Sequence, residues 1–152
     1  MSIKSNLEKL GVILPKPALA AANYVPFLVD DKTIYISGQL PMKDGKIAYQ
    51  GKIGDNLSDK EGIEAAKLCA INILAQLQAA VKDLEKVDKC LKLEIFVNAI
   101  DNYQDHPKIG NGASNLIVEI LGEAGKHSRF AMGAASLPFN VPVEIGATFK
   151  LK

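Results

Sequence analysis

Arg129 opens an alternating run in which its same-side neighbours Ala131, Gly133 and Ala135 are all small, and Glu144 follows on a second alternating run beyond a Leu137-Pro138 break. A guanidinium is a planar fork of donors that gives two parallel charge-assisted hydrogen bonds to a carboxylate. With space beside it, such a fork suits a small carboxylated molecule. Glu144, on the next strand, has the chemistry of a general base that holds and polarises a water, its basicity raised by partial desolvation. Each residue also has a plainer reading. Arg129 can be a surface or interfacial arginine paired with a neighbouring Asp or Glu, and Glu144 a partner for Lys150 or for Arg129 itself.

Three further positions belong with these two. Tyr24, just before the first predicted strand, and Ser37, at the end of the second, could donate to a polar ligand or be ordinary satisfied hydroxyls. Asn111, in Gly110-Asn111-Gly112, is a helix cap or a ligand contact. His106 and His127 stand in no recognisable triad with an acid, cysteine or serine, and both read as solvent-exposed turn residues. Cys69 and Cys90 lack the C-x-x-C spacing and nearby histidine of metal or redox sites, so they read as buried thiols in a reducing compartment.

The elements that must position these residues follow from pattern. Ser2 to Leu10 suits a short helix, and the Pro15, Pro17, Ala18 to Ala22 stretch reads as an irregular surface arm, so residues 1–20 form an N-terminal arm and 21–152 one domain. Strands are predicted over Val25 to Val29 and Thr33 to Ser37, with Asp30-Asp31-Lys32 as their turn. Gly38 to Leu57 is mostly loop, with one short strand around Ile47. Ser58-Asp59-Lys60-Glu61 is a capping-box pattern that begins a long helix, whose apolar stripe runs from Ile63 through Ala66, Ala70, Ile73, Leu74, Leu77 and Val81 to Leu84. Cys90 to Ala99 alternates, with Leu91, Leu93, Ile95 and Val97 on one side. Pro107 suits the first turn of a second helix, ended by Gly122 or Gly125.

Strands at about Arg129 to Ala135 and Val143 to Leu151 complete the order ββαβαββ. That order predicts an α+β fold, a mixed sheet with two helices packed on one face. Parity puts Phe130, Met132 and Ala134 on the helix side of their strand, and Val143, Ile145, Ala147, Phe149 and Leu151 on the helix side of theirs. Arg129 and Glu144 are then predicted together on the opposite face. Its residues, Phe96, Ala131, Gly133, Ala135, Gly146 and Thr148, are in part too small and apolar to stay wet. Self-association into a ring is the expected remedy, with clefts between subunits.

Bulk composition narrows the classes. A chain of 152 residues with 48% hydrophobic and 23% charged residues suits a single globular domain, and a formal net charge of +1 gives no electrostatic reason to expect a nucleic-acid partner. No window approaches the apolar length of a membrane span, and the N-terminus does not resemble a secretory signal, so a cytoplasmic location without membrane association is expected.

The segments Asn23-Tyr24-Val25-Pro26, Ser37-Gly38-Gln39-Leu40-Pro41, Phe96-Val97-Asn98, Asn111-Gly112-Ala113-Ser114, and Ser128-Arg129 through Leu137-Pro138 to Val143-Glu144-Ile145 resemble, in order and over about residues 20 to 150, the reactive intermediate deaminase (Rid, YjgF-type) family. The resemblance implies a chorismate-mutase-like fold and a homotrimer whose sheets face an inner barrel, with three ligand clefts between subunits. It implies hydrolysis of enamine/imine intermediates such as 2-aminoacrylate to a 2-keto acid and ammonia, without metal or organic cofactor. Arg129 matches the arginine that grips the substrate carboxylate and Glu144 the glutamate that positions water, while Tyr24, Ser37 and Asn111 match cleft-lining positions. The chain has Ala131 where the best-known deaminases carry a cysteine, which places it in a side branch. The alternative within the family is a non-catalytic, regulatory trimer that binds keto acids. Endoribonuclease activity, a label attached to the family, is the third reading, and near-neutral charge, no aromatic–basic interleaving and no paired histidines argue against it.

Overall fold

Caps and turns set the boundaries of the elements. The structure is a computed structural model that describes residues 1–20 and 22–152. Helix α1 (Ile3–Leu10) starts where the Ser2 side chain accepts from Ser5 N. Strands β1 (Phe27–Asp30) and β2 (Thr33–Gln39) flank a turn in which Asp31 has φ 52°. A small hairpin follows, β3 (Met42–Lys43) and β4 (Lys46–Ile47), the second at the short strand expected around Ile47 and the first within the segment expected as loop. Helix α2 (Asp59–Val81) begins at the predicted capping box, with Ser58 Oγ accepting from Glu61 N and the Glu61 carboxylate accepting from Ser58 N. Strand β5 (Val87–Asn98) leads to α3 (His106–Leu121), which carries Pro107 in its first turn and stops at Gly122, φ 64°. Strands β6 (Ser128–Ala134) and β7 (Val143–Leu151) finish the domain.

The five long strands form one mixed sheet in the order β1-β2-β7-β5-β6. Only β5 and β6 run parallel, and β6 is an edge strand with a single neighbour. Ile34 and Ile36, Leu93, Ile95 and Val97, and Val143, Ile145 and Phe149 turn one face of the sheet onto Ala66, Ala70, Ile73, Leu74 and Leu77 of α2 and Ile109, Ala113, Ile117 and Ile120 of α3. Each of these larger side chains contributes roughly 1.5–3 kcal/mol on burial, so this layer dominates the stability of the domain. The fold is α+β as predicted, with α1 as a third helix docked on α3. There Ile3 is buried, Asn6 Nδ2 donates to Ile120 O at 2.9 Å and Ile3 N donates to Glu85 Oε1 at 2.6 Å. The domain boundary expected at residue 21 falls on Ala21, outside the described residues.

Two strand expectations need correction. In β5 a bulge between Cys90 and Lys92 shifts the register against β7, so Cys90, paired with Phe149, takes the buried place expected for Leu91. In β6 the parity is inverted. Arg129, Ala131 and Gly133 lie beside the core residues Leu93, Ile95 and Val97, whereas Phe130 and Met132 lie beside Glu94 and Phe96 on the open face. Phe96 and Phe130 pack edge to face there, with ring centroids 5.5 Å apart. The inversion has a steric side: α3 passes so close to the edge strand that positions 131 and 133 beneath it hold only Ala and Gly.

Candidate functional site

On the helix side, Arg129 lies across the start of α3. Its Nη1 donates to Ser114 Oγ at 2.9 Å, and its Nη2 donates to Asn111 Oδ1 at 2.9 Å and to Pro107 O at 3.3 Å. All three acceptors are neutral. Among the described residues the ion pairs are Lys67–Glu64, Lys92–Glu94, Lys108–Asp59, Lys126–Glu123 and Lys150–Asp88, so Arg129 has no carboxylate partner. The plainer reading of Arg129, a pairing with a neighbouring acid, is therefore not met among the described residues. What remains is a half-buried cation oriented by dipoles and short of a counter-charge.

The small residues beside Arg129 do a different job from the one expected of them. A Cβ on Gly133 would lie 2.8 Å from His106 Nε2, and one on Gly110 would lie 3.1 Å from Arg129 Nη1. The expected empty space is filled by α3 itself, and the missing side chains let helix and guanidinium approach. Asn111 does not cap α3, whose N-cap position is Asp105, but accepts from Arg129. His106 is the first residue of α3 and packs edge to face on Tyr103, centroids 5.3 Å apart, rather than standing in a solvent-exposed turn. His127 is likewise no exposed turn residue: its Nε2 lies 2.9 Å from Ser114 Oγ and its Nδ1 2.6 Å from Gly125 O.

On the open face, Glu144 pairs in register with Phe96, and its carboxylate lies over Gly38, where a Cβ would collide with Oε2. Glu144 is half-buried and, among the described residues, forms no ion pair or side-chain hydrogen bond. The expected partnership with Lys150 is absent, since Lys150 pairs with Asp88 at 3.6 Å. Burial alone holds the Glu144 carboxyl above its ordinary value. A carboxylate kept in this state is a better proton acceptor than one in water.

Next to Gly38 a cleft of about 450 Å³ is lined by Tyr24, Ser37, Leu40, Met42 and Phe139. Tyr24 is 53% exposed. The Ser37 hydroxyl donates to Val25 O at 2.7 Å, so its proton is committed and it can only accept from a ligand, contrary to the donor role expected. Phe139, at φ 55°, holds a left-handed conformation uncommon for a bulky residue. A clamp that pattern alone did not single out supports this loop. Buried Asn98 Nδ2 donates to Asn140 Oδ1 (3.2 Å), Val141 O (3.2 Å) and Gly51 O (3.3 Å), and Lys52 Nζ donates to Asn98 Oδ1 (2.7 Å) and Ala135 O (2.6 Å).

The sequence-predicted residues thus fall into two groups. Arg129 and Asn111 meet at the edge strand on the helix side, while Tyr24, Ser37 and Glu144 gather on or beside the open face. Within one chain the sheet lies between Arg129 and Glu144, against the expectation that both share a face. Ser114, His127 and Gly110 were not singled out for the arginine, because the helix that carries Ser114 meets Arg129 only through tertiary packing. The two thiols are buried and free, and burial pushes Cys90 up to about 12.

No helix is long and apolar enough to cross a membrane among the described residues. Residues 4–146 match the family model described as "YjgF/chorismate mutase-like, putative endoribonuclease". Protein TCP17 of Trypanosoma cruzi is 39% identical over 150 residues, covering 98% of this chain and 94% of that protein. The crystal structure of Atu1372 from Agrobacterium tumefaciens superposes with a TM-score of 0.93 at 46% identity, over 99% of this chain and 92% of that one. A "putative endoribonuclease" from Shewanella oneidensis superposes with a TM-score of 0.96 at 34% identity, over 99% and 100%. With its fold and its family match in agreement, the chain belongs to the YjgF/chorismate mutase-like family.

Proposed function

We propose that the protein is a homotrimeric hydrolase of small enamine and imine acids, in which Arg129 of one copy and Glu144 of its neighbour close a shared cleft. The observation that carries this is the pair of charges left uncompensated among the described residues, a guanidinium held by neutral acceptors and a desolvated carboxylate without a partner. A ligand carboxylate supplies what the first lacks, and a water supplies what the second lacks. Exposed Phe96, Met132 and Tyr35 on the open face, and the unpaired outer edge of β6, favour association of copies.

The chemistry asks little else of the chain. An enamine such as 2-aminoacrylate tautomerises to the imine, whose carbon is electrophilic. Glu144 draws a proton from a bound water as its oxygen bonds to that carbon, giving a carbinolamine. Glu144 returns that proton to the nitrogen, then takes the hydroxyl proton and passes it to the same nitrogen, so that the C=O bond forms as the C–N bond breaks, leaving a 2-keto acid and ammonia. Holding carboxylate and water together contributes through orientation, which can lower a barrier by ~7 kcal/mol or more. Tyr24, Ser37 and Asn111 complete the reading, Tyr24 and Ser37 as cleft walls and Asn111 as the acceptor that turns Arg129. A near-neutral surface, at net charge +1, does not favour RNA as substrate.

Freshly generated 2-aminoacrylate tests the proposal. The native protein should accelerate release of pyruvate and ammonia, and Arg129→Ala should not. No acceleration by the native protein removes the hydrolase reading. Binding of a keto acid without turnover would support the regulatory trimer instead.

A further inference from the structure

The hydrogen bonds around Arg129 run in one direction. His127 Nδ1 lies 2.6 Å from the Gly125 carbonyl, which can only accept, so the proton of the neutral ring belongs on Nδ1. Nε2 is then an acceptor, and among the described residues its hydrogen-bond partner is Ser114 Oγ at 2.9 Å. The hydroxyl must donate its proton there, which leaves its lone pairs to accept from Arg129 Nη1 at 2.9 Å. Every polar atom from Gly125 to the guanidinium has a single role. Asn111 and Pro107 anchor Nη2 independently, so the plane of the fork is fixed from both of its ends.

We infer that Ser114 and His127 are positioning residues for ligand capture, a relay that locks the Arg129 rotamer so that its remaining donors meet an incoming carboxylate without reorganisation. This rests on the reading of Arg129 as the carboxylate holder. Neither residue touches the ligand, and neither is needed for the chemical step. An arginine side chain left free loses rotamer entropy when it binds, and preorganisation removes that cost from the binding equilibrium.

The test measures the Kd of the whole protein for 2-ketobutyrate alongside kcat, with unfolding temperature and oligomer mass as controls. Ser114→Ala and His127→Leu should each raise Kd about three- to tenfold, the value of one lost hydrogen bond, and leave kcat near native. His127→Gln should restore native affinity, because its amide oxygen can accept from Ser114. The double variant should bind no worse than either single one, since both break the same relay. Native affinity in Ser114→Ala and His127→Leu, while Arg129→Ala loses binding, overturns the relay and leaves the arginine's role standing. Native affinity in Arg129→Ala overturns the reading beneath it. If Ser114→Ala fails to fold, the Leu and Gln variants of His127 decide alone.

Discussion

The two sides of the sheet hold opposite charges in opposite ways. Arg129 is surrounded by acceptors that orient it but cannot neutralise it, whereas Glu144 has no polar side-chain partner among the described residues and its carboxyl is raised by burial alone. The cation is preorganised and the anion is desolvated. Had the chain brought them together they would form an internal ion pair and both would be spent. With the sheet between them, each stays available to something outside the chain.

Substitutions at the two charges should break this contrast in different ways. The largest effect belongs to Arg129→Ala, expected to cost about 2–5 kcal/mol of carboxylate affinity, as for other truncated charge partners, and read by titration with 2-ketobutyrate. Glu144→Gln should leave that affinity near native and lower turnover by about 100-fold or more.

The same variant has a pH signature in stability. A carboxyl whose folded value is raised contributes stability that is complete below its ordinary range and lost as pH rises through the folded value. Glu144→Gln should therefore unfold at a higher temperature than the native chain at neutral pH, with the difference closing in acid.

Smaller effects test the packing that sets each charge. Gly110→Ala places a Cβ 3.0 Å from Ile95 Cδ1 and 3.1 Å from Arg129 Nη1. It should push the guanidinium aside and weaken carboxylate binding, visible as a smaller ligand-induced rise in melting temperature. The smallest effect concerns Asp59, which accepts from Tyr103 Oη at 2.7 Å and is lowered chiefly by that bond. A lowered carboxyl contributes stability above its ordinary range and loses it as pH falls through the folded value. Tyr103→Phe should flatten that acid-side loss, a change of less than about 1 kcal/mol at so exposed a site.

How far the fold was legible can be traced to particular residues. The capping box at Ser58, the alternation of β7 and the proline at the start of α3 are local signals, and the structure has each in place. Leu91 departs from its expected side because a bulge changes parity without changing composition. Phe130 and Met132 depart from theirs for a deeper reason. Apolar residues are taken to face the core, but on an edge strand with an open face the large ones can lie outside and the small ones beneath the helix. Arg129 stood out by its isolation among small residues, yet its neighbours Ser114 and His127 are 15 and 2 positions away on other segments, and only packing of α3 joins them. Nothing in the spacing of a serine and a histidine announces an arginine's orientation.

The central claim, that one copy supplies the cation and its neighbour the anion, is tested most directly by mixing inactive chains. Arg129→Ala and Glu144→Gln proteins, each inactive alone, are unfolded together in equal amounts, refolded and assayed with 2-aminoacrylate. Sites built from two copies in a ring should recover about one-quarter of native activity, because that share pairs an intact Arg129 with an intact Glu144 from the next copy. Activity no higher than that of either variant alone, in mixed trimers verified by mass, would contradict the account.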